Sequence, residues 1–90
     1  MTRAVEVRVT GAVQGVSFRA YAAREAVRLE LAGWVRNEPD DSVAGHFEGS
    51  DAAVAEMLAW CRHGSPAARV ADVQVTEVAP SGATSFEVNY

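Results

Sequence analysis

The chain has a single cysteine, Cys61, no lysine, and no long apolar run among its 90 residues. A lone thiol cannot pair within the chain, so a disulfide framework is excluded. None is required, because a chain of this length buries roughly 60–70 % of the surface it exposes when unfolded. The N-terminus, MTRAVEVRVTGAV, alternates apolar and polar residues and contains no stretch of signal-peptide or membrane-span length. With the unpaired cysteine, this leads to the expectation of a soluble, cytoplasmic protein with no membrane partner. Basic residues are scarce as well: all eight are arginines, and twelve acidic residues leave a net charge of −4. With no basic run to displace counterions, general nucleic-acid binding is not expected. Linkers, internal repeats and low-complexity segments are also lacking. Residues 1–90 are therefore expected to form one domain, and 49 % hydrophobic against 22 % charged residues is inconsistent with disorder.

The residues present are strongly patterned. Residues 4–10 alternate Val5, Val7 and Val9 with Glu6, Arg8 and Thr10, the period of a strand with one buried face. A helix is predicted from Ser17, as N-cap, to about Leu31, with Phe18, Ala22, Ala26 and Leu29 at helical spacing and Gly33 just beyond its end. Ala20 leaves its capping box incomplete. GWVRN (33–37) and SVAGHFEG (42–49) read as the strands of a hairpin, with EPDD as turn. Ser50 is predicted to cap a second helix in which Val54, Met57, Leu58 and Cys61 form one apolar stripe; Gly64 and Pro66 end it. Strands at 70–78 and in SFEVNY, the latter with Phe86, Val88 and Tyr90 on one face, complete the order βαββαβ plus a short final strand. Crossovers of one hand place both helices on the same side of the sheet. The expected fold is therefore α+β: a ferredoxin-like two-layer sandwich, mainly antiparallel, with the other sheet face solvated.

One segment, TGAVQGVSFRAY (10–21), is odd in its charge placement. Arg19 falls in the first turn of a helix, where unpaired N–H groups and the macrodipole disfavour a cation by a few tenths to about 1 kcal/mol. If Gly11 and Gly15 adopt positive φ, the amides of Gly15, Val16, Ser17, Phe18 and Arg19 converge on one point and form an anion-binding concavity. An anion held there would also pair bidentately with the Arg19 guanidinium and remove the misfit. A structural glycine turn followed by a surface arginine remains an alternative on these residues alone. The segment matches neither a P-loop nor a dinucleotide fingerprint.

VTGAVQGVSFR (9–19) and GWVRNEPDDSVAGHFEG (33–49) together resemble the two signature segments of the acylphosphatase family, and the likeness extends over nearly the whole chain. The resemblance implies a ferredoxin-like fold and hydrolysis of the carboxyl–phosphate anhydride of acyl phosphates by water attacking phosphorus. It places the family's phosphate-binding arginine on Arg19, with the loop amides, and its water-orienting asparagine on Asn37. It implies that a substrate phosphate oxygen accepts the proton. No metal or other cofactor is implied, and the expected partner is a small acyl phosphate bound by a monomer. Acylphosphatase-like segments also occur within larger maturation proteins; a chain opening on Met1 leads here to the expectation of a free-standing enzyme. One departure stands out: Asp41 occupies a position after Asn37 where the family usually has glycine, so the turn there is expected to differ.

Other candidates are set aside. Cys61 belongs to an apolar stripe and reads as core. His46 and His63 have no partner at metal-ligand spacing. Trp34 and Trp60 read as packing at the core margin, Glu38, Asp40 and Asp41 as turn chemistry rather than a metal site, and Tyr21 as helix surface or pocket border. A non-catalytic anion-binding regulatory module of the same fold is the main alternative, and Asn37 is the residue it leaves unexplained. An RNA-recognition module would require exposed aromatics and a basic sheet face, where the first strand instead presents Glu6, Arg8 and Thr10.

Overall fold

The alternating N-terminus forms β1 (Thr2–Ala12), with Val5, Val7 and Val9 buried and Glu6 and Arg8 exposed. Burying each such valine contributes about 1.5–3 kcal/mol, so the alternation decides which face of the strand turns inward. The computed structural model describes residues 2–89. After β1 come α1 (Phe18–Arg28), β2 (Ala32–Asn37), β3 (Val43–Ser50), α2 (Asp51–His63), β4 (Arg69–Val78) and β5 (Phe86–Asn89). The sheet order is β4-β1-β3-β2-β5, antiparallel throughout except for the parallel pair β2–β5. This is the expected ferredoxin-like sandwich with its extra C-terminal strand. Tyr90, predicted to share a face with Phe86 and Val88, lies outside the described residues.

Both helices contribute to one core. Phe18, Ala22 and Ala26 of α1 and Val54, Met57 and Cys61 of α2 join the inward valines of β1 with Val35, Val43 and Phe47. The predicted stripe of α2 is buried except for Leu58, which packs partly buried against that core. Ser50 caps α2 as expected, its hydroxyl oxygen accepting from Ala53 N–H at 3.1 Å, and Gly64 closes the helix at φ 73°. Val73 alone of the predicted Ala71–Val73–Val75 alternation in β4 is buried, because β4 is an edge strand.

Two boundaries of α1 differ from expectation. The helix stops at Arg28 rather than near Leu31, because Leu31 N–H bonds Ala26 O at 2.8 Å and Glu30 N–H bonds Val27 O at 3.0 Å. These are the two bonds of a Schellman closure, with Glu30 at φ 59° in the left-handed position that glycine usually fills. Gly33 lies beyond the helix and inside β2, as the strand expected over 33–37 requires. At the other end, Ser17 precedes the helix but does not cap it: the residue is itself left-handed (φ 59°, ψ 26°), and its side chain makes no capping bond.

The sheet face away from the helices is only partly solvated. His46 and Glu48 point there from β3, yet they are 4 % and 5 % exposed: the segment between β4 and β5 folds over Glu48, and His46 lies against Trp34 and Glu48. Glu48 accepts five hydrogen bonds: from Ser81 N–H and Oγ–H, Gly82 N–H, Ala83 N–H, and His46 Nε2–H. Burial pushes the carboxyl's pKa up, but these donors outweigh it and hold the group down at about 2. The Nδ1 of His46 lies 3.6 Å from Glu6 Oε2, and its ring stacks on Trp34, which carries the Arg36 guanidinium 4.6 Å from its ring centre. Trp34 is thus an open-face residue rather than core margin, whereas Trp60 does pack at the core, against Phe18.

Candidate active site

The strand directions determine where a site can form. β1 and β2 are both antiparallel to β3, and β5 is parallel to β2, so β1, β2 and β5 end at the same edge of the sheet. From the end of β1 the chain curls into α1; Asn37 is the last residue of β2; Val88 and Asn89 close β5. Beyond the carboxyl ends of parallel strands is where open sheets place ligands. Here that region holds a pocket of about 380 Å³ lined by Gly15, Ser17, Phe18, Arg19 and Asn37, with Val13, Ala20 and Val88 as its apolar wall.

The curl depends on its two glycines for different reasons. Gly11 has φ 117° and sits at a bulge where β4 approaches so closely that an added Cβ would lie 2.2 Å from Arg69 O. Gly15 has φ 74° with open space around it, so its requirement is conformational alone. The positive φ expected at both positions is therefore present. Ser65 holds the curl from the core side, its hydroxyl donating to Val16 O at 2.8 Å. Since the peptide is trans, the Ser17 N–H points the opposite way from that carbonyl, away from Ser65. The Val16 side chain packs against the core and does not line the pocket. Among the described residues, no turn or cap bond from the amides of Gly15, Val16, Ser17 or Phe18 to a backbone carbonyl is formed.

Arg19 extends into the pocket from the first turn of α1 and donates from a guanidinium nitrogen to Asn89 O at 2.9 Å, which ties it to the end of β5. Asn37 is exposed, and its carboxamide makes no hydrogen bond to a described residue. The turn that follows Asn37 is ordered by its own side chains. Glu38 O accepts from Asp41 N–H at 3.2 Å, and Asp40 accepts from Ser42 N–H at 3.1 Å and Ser42 Oγ–H at 2.5 Å. The Ser42 bonds, with Arg8 adding its charge, hold the Asp40 carboxyl below its usual range. Gln14, within the curl, donates both amide hydrogens to this turn, to Glu38 O and Ser42 O at 2.8 Å each.

The family model described as Acylphosphatase matches residues 5–88. A protein named acylphosphatase from Nocardioides sp. is 56 % identical over 88 residues, covering 98 % of this chain and 89 % of its own. The chain belongs to the acylphosphatase family. The crystal structure of acylphosphatase from Bacillus subtilis superposes with a TM-score of 0.95 at 36 % identity, over the full length of both chains. An acylphosphatase from Coxiella burnetii gives 0.95 at 31 % identity, covering 98 % of this chain and 93 % of that one.

Within this acylphosphatase framework the residues set aside stay outside the pocket. Burial pushes the Cys61 thiol up to about 12, which leaves it protonated and inert at neutral pH. Tyr21 lies on the helix surface under Arg24, and His46 is held by Glu48. Among the described residues no three His, Cys, Asp or Glu side chains are grouped to hold a metal ion, and no helix is long and apolar enough to cross a membrane. The local sequence around Gln14, Ser65 and Glu48 does not mark the contacts these side chains make. Gln14 stood inside the signature segment, but its contacts depend on a turn remote in sequence.

Asp41, which the resemblance sets where the family usually has glycine, has φ 71°. The left-handed region costs an L-residue about 1–2 kcal/mol, less for aspartate, while glycine gives back part of the gain as backbone entropy. Asp41→Gly is expected to stabilise the protein by about 0.5–1 kcal/mol, raising Tm by about 2–8 °C at this size. Thermal melts of the two proteins check this; an unchanged or lower Tm would show that the aspartate is unstrained here.

Proposed function

We propose that the chain hydrolyses acyl phosphates to a carboxylate and inorganic phosphate, with water attacking phosphorus and no metal taking part. The observation that carries this reading is that Arg19 and Asn37, remote in sequence, line one pocket at the N-terminus of α1. In this reading the amides of residues 15–19 and the Arg19 fork hold the phosphoryl group, and stabilise charge on its equatorial oxygens as the bond to the leaving group lengthens. The Asn37 carboxamide accepts from the attacking water through its oxygen and donates through its nitrogen. It orients the nucleophile without deprotonating it, and a phosphate oxygen takes the proton.

The substrate's own chemistry explains the lack of a general acid. The departing carboxylate has a conjugate acid of pKa near about 4 and leaves at neutral pH without protonation. An anion-binding module of the same fold would have no use for a carboxamide beside the bound group, and the exposed Asn37 side chain therefore favours hydrolysis. The same reading makes residues 1–90 a single domain that works as a cytoplasmic monomer on a small-molecule substrate.

The test is turnover of a simple acyl phosphate with and without a chelator, together with Asn37→Ala. We expect chelator-insensitive hydrolysis in the parent. In Asn37→Ala, kcat should fall roughly a hundredfold while inhibition by inorganic phosphate barely changes, as for a group that aims water but does not bind phosphate. A parent without activity overturns the hydrolase reading, and an Asn37→Ala variant at the parental rate overturns that residue's role.

A further inference from the structure

The cradle and the Asn37 turn are carried by different strands, and the ladder between those strands stops short of the site. β1 pairs with β3 only as far as Val9–Val43; after that β1 bulges at Thr10–Gly11 and follows β4 alone, through Gly11–Val70 and Ala12–Arg69. Past Asn37 and its partner Val43, the chain of the β2–β3 turn no longer belongs to the sheet. Gln14 crosses the gap. Its acceptors, Glu38 O and Ser42 O, are both carbonyls, which only accept, so the amide nitrogen must face them and both its hydrogens are used. Those two carbonyls sit at the two ends of the turn, and Glu38 N–H also donates to Ser42 O at 2.8 Å. One planar amide therefore fixes the residue following Asn37 against the start of the cradle loop.

The cradle itself has other supports, namely the Ser65 bond to Val16 O and the pairing of Gly11 and Ala12 with β4. Gln14 is thus a tether between two parts of the site and is dispensable to the shape of either. We propose that Gln14 is a positioning residue for this reaction: it sets the distance from the bound phosphoryl group to the water held by Asn37. This inference rests on the hydrolase reading above. It predicts a separation of effects, because binding uses the cradle alone while attack uses both halves, and misplacing a nucleophile by about 1 Å is enough to lower a rate a hundredfold.

The experiment compares Gln14→Met, which keeps the length of the side chain and removes its donors, with Gln14→Glu, which sets carboxylate oxygens against the two carbonyls. Each is made alone and combined with Asn37→Ala, and its far-UV circular dichroism is compared with the parent's at the assay temperature. We expect kcat for a simple acyl phosphate to fall at least tenfold in both single variants. The inhibition constant of inorganic phosphate should stay within twofold of the parent, and adding Gln14→Met to Asn37→Ala should change kcat less than twofold. Should only Gln14→Met fold, the same three readouts on it decide the matter. The proposal is overturned by a kcat within twofold of the parent, by phosphate inhibition weakening in step with kcat, or by a loss that persists in full on the Asn37→Ala background. An inactive parent would instead count against the hydrolase reading beneath it, and a fully active Asn37→Ala against the role that reading gives Asn37.

Discussion

Arg19→Ala is expected to lower kcat/KM for a simple acyl phosphate about a thousandfold or more, and to weaken competitive inhibition by inorganic phosphate, in a protein that remains folded. Removing one neutral donor from a site of developing negative charge costs about 10²–10³ in rate, and an arginine on a transferring phosphoryl group is worth about 10³–10⁵. Under the proposed function Arg19 combines both roles, and it lines the same pocket as the curl of amides. Stability should respond far less. The bond to Asn89 O is lost, at about 1.5–3 kcal/mol for a charged donor, and relief of the cation's conflict with the helix dipole returns about 0.3–1 kcal/mol. Arg19→Lys separates geometry from charge: a point charge on a flexible stem keeps attraction for the anion but not the two-pronged contact, so it should recover binding better than turnover. Steady-state kinetics with phosphate inhibition, beside a urea titration of each variant, check all three statements. Turnover within tenfold of the parent in Arg19→Ala would remove the arginine from the chemistry.

The curl is legible in the sequence because its determinants are local, whereas Asn37 enters only through the resemblance to the family. Two glycines ahead of a helical period announce a curl, and an arginine in the first turn raises the question of an anion without deciding it, since in the structure the same guanidinium also donates to Asn89 O. Alternation in β1 and the stripe of α2 carried the topology, and the topology brings Asn37 to the same sheet edge as the curl. The features that escaped are those in which a local signal is overridden. Ser17 has the chemistry of an N-cap, but the curl that turns its amide outward needs a left-handed residue, and from φ 59° its hydroxyl makes no capping bond. The glycine beyond α1, Gly33, points past the true end, because Glu30 adopts the left-handed closure and the burial of Leu31 and Ala26 holds it there. Glu48 was the hardest to foresee. Its place on β3 marks it as a residue of the solvated face, and only a segment more than thirty residues away in sequence, at Ser81–Ala83, makes it a buried one.

That burial links two parts of the molecule built on the same principle. At 81–83, three successive N–H groups converge on a carboxylate that the chain itself supplies, helped by Gly82 at φ 81°. At 15–18 the main chain curls in a comparable way, but no carboxylate of the described residues fills it, and the concavity opens on the pocket. The first arrangement fastens the lead-in to β5, whose far end holds Asn89 O against Arg19.

Glu48→Gln is accordingly expected to be the most destabilising of these substitutions, by about 3–5 kcal/mol, the cost of removing one partner from a buried, hydrogen-bonded pair. A glutamine keeps the shape but offers one accepting oxygen where two are used, and its NH₂ meets amide hydrogens from the loop. The pH dependence has a definite sign. Because the folded carboxyl titrates at about 2 and an unperturbed one near 4.5, its stabilisation is complete above the unfolded value and is lost as pH falls towards 2. The gap in unfolding free energy between parent and Glu48→Gln should therefore be widest at pH 6–7 and close progressively between about pH 4.5 and 2. Urea titrations at four or five pH values across that range measure it. Curves that run parallel down to pH 2 would show that ionisation of Glu48 contributes nothing, and that the loop over β3 is held by packing instead.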